Sequence, residues 1–112
     1  MRLLFTEDAE DHLEAAYNFR EETTSQRSAA ELYNNLIDGI QILIDQPHLG
    51  RIEPLLEDAA ISYRSLILLR DFKVIYHIDD QIIVVAAVYN CRQEPEKLRE
   101  VVLKTKIKGS TP

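Results

Sequence analysis

The sequence predicts an α+β domain in which an N-terminal antiparallel helical hairpin packs on an antiparallel β-sheet meander. Two apolar stripes of helical period precede Pro47, and three short β-type runs joined by tight turns lie between Tyr63 and Tyr89. Only a brief polar segment separates the two stripes, which favours an antiparallel hairpin. At 112 residues the chain can bury one core but not two, so residues 1–112 are read as a single domain.

Arg2–Phe5 reads as a short edge strand. Thr6 then precedes Glu7 and Asp8, a helix start: its hydroxyl can accept a first-turn N–H, and the acids suit the positive end of the helix dipole. Ala9, Leu13, Ala16, Tyr17 and then Phe19 or Arg20 keep the 3.6-residue period, with Glu10, Asp11 and Glu14 facing out, and the stripe fades near Glu22. Thr23-Thr24-Ser25 supplies a turn and a second N-cap. From there Ala29, Leu32, Tyr33, Leu36, Ile37, Ile40, Leu43 and Ile44 form a longer stripe that Pro47 ends. Gly39 costs that helix roughly 1 kcal/mol relative to alanine, which suits close packing there.

Pro47-His48-Leu49-Gly50 is a turn, and residues 51–60, with Pro54, read as an irregular connector. Residues 63–69, 72–78 and 82–89 are the three strand-like runs, separated by turns at Arg70-Asp71 and Asp79-Asp80-Gln81. The run from Ile82 to Val88 is apolar at both alternations, as expected of a strand covered on both faces. A helical turn is expected over residues 96–100. The basic tail, 101–112, contains Lys104, Lys106 and Lys108 and is expected to be disordered.

Net charge is −6, and it is unevenly divided. Residues 1–60 carry 4 basic and 13 acidic side chains, and residues 61–112 carry 9 basic and 6 acidic, so the sheet half is expected to be electropositive and to face an anionic partner. No apolar run approaches the roughly 20 residues of a membrane span, and the first residues lack the apolar stretch of a secretory signal. The single cysteine, Cys91, excludes an intramolecular disulfide framework, and the expected compartment is the cytoplasm. His12, His48 and His77 are scattered with no second ligand at metal spacing, and the three glycines form no phosphate loop. Neither a metal nor a cofactor is expected.

The opening LLFTEDAEDHLEAAYNF, the helix end and turn ILIDQPHLGR, the meander YRSLILLRDFKVIYHIDDQIIVVAAV and the closing YNCRQEPEKL together resemble the ParE and RelE superfamily of type II toxins, the plasmid-stabilisation type. The resemblance covers roughly residues 3 to 98. It implies a helical hairpin on an antiparallel sheet and a separately encoded cognate antitoxin as partner.

Two activities follow from the two branches of that superfamily. The RelE-like branch implies ribosome-dependent cleavage of messenger RNA, in which a substrate 2′-OH attacks the adjacent phosphate with help from a base, an acid and cations. Lys73 and Arg92 occupy the positions where that branch usually has arginines, and Lys73 lacks the bidentate fork. The branch often carries a tyrosine shortly after the last strand, and residues 93–98 contain none. The ParE-like branch, favoured by these departures and by the P-x-x-G-R turn, implies inhibition of DNA gyrase by protein contact, without catalytic residues. Arg64, Arg70, Lys73 and Arg92 are then the candidate contacts to target or antitoxin. A third reading is a non-toxic remnant or binding module that keeps the fold and dimerises.

Overall fold

The computed structural model describes residues 1–91. β1 (Arg2–Phe5) leads into α1 (Glu7–Thr23) and α2 (Gln26–Asp45). These are followed by β2 (Arg51–Ile52), a 3-10 turn (Pro54–Leu56), β3 (Arg64–Leu68), β4 (Phe72–Asp79) and β5 (Ile82–Asn90). The strands form one sheet in the order β1-β5-β4-β3-β2. β3, β4 and β5 are the expected antiparallel meander, and β2 extends it within the segment read as irregular. β1 enters beside β5 as a parallel neighbour, Arg2 opposite Ile82 and Phe5 opposite Val85, so the sheet is mixed. The expected turn at 96–100 and the tail lie outside the described residues.

Both helices begin where their caps allow. Ala9 N–H donates to Thr6 Oγ1 at 3.1 Å and Ser28 N–H to Ser25 Oγ at 3.0 Å, each satisfying a donor that has no partner within the helix. α2 stops at Asp45, ahead of Pro47. The helices run antiparallel: Tyr17 meets Tyr33 edge-to-face at 6.5 Å, and nearer the turn Arg20 donates to Ser28 Oγ. Phe19 departs from the expected stripe and is 68% exposed, because two residues beyond Tyr17 the helix has turned it away from the core.

The sheet is covered on both faces. On one, Leu13, Leu36, Ile40 and Leu43 from the hairpin pack on Val74, Tyr76, Ile83 and Val85. On the other, Leu56 and Tyr63 from the connector cover Ile75, Ala87 and Tyr89. This explains why β5 is apolar at both alternations. Ile75 pairs with Ala87 but Tyr76 with Val85, so Ala86 is a bulge. The start of α1 is tied to it, with Thr6 Oγ1 donating to the Ala86 carbonyl at 3.0 Å. Gly39 is a true close approach, since a Cβ there would stand 2.8 Å from both Leu68 δ-carbons. No described helix is long and apolar enough to cross a membrane.

Candidate functional site

Alternation along β4 sends Val74 and Tyr76 to the hairpin and Lys73 and Ile75 to the opposite face. Register sets Lys73 between Ile67 of β3 and Tyr89 of β5. From there Lys73 Nζ reaches Glu53 Oε1 at 3.1 Å, and the two form an ion pair with side-chain exposures of 17% and 0%. Glu53 is the N-cap of the 3-10 turn, and its backbone N–H donates to Tyr63 O. Its Oε2 is buried and has no hydrogen-bond partner among the described residues. The charge of Lys73 is therefore spent on an internal carboxylate, which the sequence reading did not foresee.

Arg64 lies opposite Tyr76 in the register and works on the other side of the sheet. Its Nη1 donates to Gly50 O at 2.7 Å, while Gly50 N–H donates to Tyr76 Oη at 2.9 Å and Tyr76 Oη donates to Pro47 O at 2.8 Å. This knot fixes the turn after α2 onto the sheet. Burial raises the Tyr76 phenol pKa, opposed by the Gly50 hydrogen bond and the Arg64 charge. Burial likewise raises the Tyr63 phenol pKa, and the Tyr63 ring stands edge-to-face with His77 at 5.5 Å. Arg70 is exposed in the β3–β4 turn, where it and Leu69 take left-handed φ values of 69° and 50°. Arg92 lies outside the described residues. The candidate contacts thus divide, with Arg64 and Lys73 engaged internally and Arg70 facing solvent.

His12 has a part that its isolation in the sequence concealed. Its Nδ1 accepts from Val88 N–H at 3.2 Å, so α1 is held to β5 just past the bulge. Burial lowers its pKa, with Asp8 and Asp11 opposing. The available signal was its place on the helix, three residues after Ala9 and four before Ala16, on the margin of the apolar stripe.

A groove of about 570 Å³ opens between the hairpin and β1. Phe5, Leu13 and Ile37 supply apolar walls, Tyr17 and Tyr33 an aromatic pair, and Glu10 and Glu14 two carboxylates. No described ion pair engages either acid.

Within the half expected to be electropositive, residues 61–112, the charge is unevenly placed. Residues 61–91 carry three bases, Arg64, Arg70 and Lys73, and three acids, Asp71, Asp79 and Asp80. The positive excess read from the sequence falls on residues 92–112. Among the described residues no group of three His, Cys, Asp or Glu side chains is placed to hold a metal ion.

Two helices on one face of a five-stranded mixed sheet define an α+β fold also found among solved toxin-antitoxin proteins. One solved structure, described as "Chromosomal ParDE TA system from P. aeruginosa", superposes with a TM-score of 0.67 at 18% identity, over 80% of this chain and 95% of that one. No curated protein matches the sequence. A family model described as "ParE toxin of type II toxin-antitoxin system, parDE" matches residues 3–95. The chain therefore belongs to the ParE toxin family.

Proposed function

We propose that this chain is the toxin of a type II toxin-antitoxin module, acting in the cytoplasm on DNA gyrase by protein contact and neutralised by a cognate antitoxin. The Lys73–Glu53 pair carries the preference for contact over RNA cleavage. A phosphoryl-transfer site needs a cation free to meet the charge that develops on the phosphorane. Lys73, a candidate for that role, is instead neutralised by a carboxylate with no exposure. Extracting Lys73 to serve a phosphate would leave Glu53 buried and uncompensated, at a cost of about 3–5 kcal/mol.

Induction of the chain in cells, read out on both targets, tests the proposal. The expected result is trapped cleaved DNA and lost gyrase supercoiling, with ribosome-bound messenger intact, and relief when the neighbouring small gene is co-expressed. Messenger ends within ribosomal A-site codons, abolished by substituting Lys73 and Arg92 together with alanine, would overturn it in favour of the nuclease. Growth unaffected by induction would overturn the toxin reading altogether.

A further inference from the structure

We propose that the free edge of β3 and the Leu69-Arg70 turn at its end form the surface by which this chain grips its target, and that the target offers an extended segment with apolar residues set between acids. This rests on the reading above, in which the chain acts by protein contact.

The turn is strained without an internal gain. Leu69 and Arg70 both hold left-handed backbone, with φ of 50° and 69°, where glycine or asparagine is the usual residue and a bulky side chain is strained. Leu69 is 48% exposed, Arg70 is exposed, and no described ion pair engages Arg70. Neither side chain is therefore placed there for the core. Strain of this kind gathers at ligand clamps, where what matters is the display of the side chains.

Beside the turn a stretch of backbone is open. Tyr63 O accepts from Glu53 N–H on the β2 side, so the two-residue alternation of an antiparallel strand aims the N–H and C=O of Ser65 and Ile67 the same way. Arg51 of β2 lies opposite Ser65. No strand among the described residues lies opposite Ile67, because β2 begins only at Arg51 and the Gly50 N–H before it turns to Tyr76 Oη. The Ile67 side chain is also 50% exposed, so backbone and side chain together can meet an added strand. An open backbone edge selects a polypeptide over a nucleic acid.

Charge selects the sign. Residues 51–52 and 64–71, which make up β2, β3 and the turn, hold three of the seven bases in residues 1–91 and one of the sixteen acids. The remainder of residues 1–91 has fifteen acids and four bases. An acidic segment is thus steered to this edge and repelled elsewhere. Arg51 and Arg70, both exposed, stand toward opposite ends of it with Ile67 and Leu69 between them, which sets the order acid, apolar, acid in the ligand.

Two extended peptides, with valines alternating with glutamates in one and with lysines in the other, are titrated against the full chain by fluorescence anisotropy. The glutamate peptide should bind about tenfold more tightly, its affinity should fall with salt, and R51E/R70E should abolish the preference. L69G/R70N relieves both left-handed positions and removes both side chains. It should melt at or above wild type yet bind the glutamate peptide about tenfold more weakly, a combination that a turn kept for stability does not give. Equal affinities for the two peptides, unchanged binding in L69G/R70N, or melting of that variant below wild type would overturn the proposal.

Other occupants have their own signatures. A single-stranded oligonucleotide bound more tightly than either peptide, and lost in R51E/R70E, would assign the edge to nucleic acid. A dimer that L69G/R70N dissociates would assign it to a second copy. Either result overturns the target assignment. In cells L69G/R70N should lose toxicity: toxicity retained without peptide binding refutes this surface and leaves the toxin reading intact, whereas a wild-type chain that does not slow growth refutes the toxin reading while the titration still reports on the edge.

Discussion

Glu53 and Lys73 lie 20 residues apart, one in the connector and one in β4, and their 3.1 Å contact joins the connector to the sheet it covers. Replacing Lys73 by alanine leaves a carboxylate buried beside no cation and should cost about 3–5 kcal/mol. The double substitution K73M/E53L removes both charges and should recover most of that loss. Urea denaturation of the two single variants and the double variant gives the coupling. Additive losses would refute the pairing as a determinant of stability.

The knot at Gly50 should be intolerant of added volume. A Cβ there would stand 2.7 Å from both Ser65 O and Tyr76 Oη. G50A should therefore destabilise by about 1–3 kcal/mol through displaced backbone. Y76F leaves Gly50 N–H and Pro47 O without their partner and should cost a similar amount, about 1–3 kcal/mol. Thermal melting checks both, and in G50A/Y76F the losses should be less than additive because the two changes break one arrangement.

His12 predicts a pH dependence whose sign is fixed by its hydrogen bond. The ring must be unprotonated at Nδ1 to accept from Val88, and its folded pKa lies below the ordinary value of 6.5. The unfolded chain thus binds the proton more tightly, so this contribution is complete above about pH 6.5, declines as pH falls toward the folded pKa, and levels off below it. Urea midpoints measured from about pH 8 to pH 5 should fall over that window in wild type and show a flatter profile in H12N. Equal slopes in the two proteins would remove His12 as the source.

Thr6 has two simultaneous duties, accepting from Ala9 N–H and donating to the Ala86 bulge carbonyl. T6V, of nearly equal volume, loses both and should cost about 1–2 kcal/mol, whereas T6S should stay near wild type. Amide exchange at Ala9 read by NMR should quicken in T6V only.

Local features were legible in the sequence. The caps at Thr6 and Ser25, the stop before Pro47, the two stripes and the meander depend on neighbours within a few residues, and pattern and spacing display them directly. What depended on register was hidden. β1 pairs with a strand about 80 residues away, His12 finds Val88 across 76, and Glu53 finds Lys73 across 20. Nothing in a connector of weak periodicity marks Glu53 as a buried acid. The basic residues were visible, but not their obligations: Arg64 and Lys73 are held by Gly50 O and Glu53, and a count of charges cannot distinguish a cation facing water from one facing a carboxylate.

The parallel seat of β1 beside β5 has a consequence for when this molecule comes into being. Residues 2–5 are made well before their strand partners, 82–85, which are among the last of the described residues to be made. Until then the opening strand has an unsatisfied backbone and the hairpin lacks the sheet on which its apolar stripe rests. Closing so long a loop is also entropically demanding, which places that pairing late in folding. The sheet can therefore close around its first strand only after the whole of β5 has been made, whatever the hairpin has formed before then.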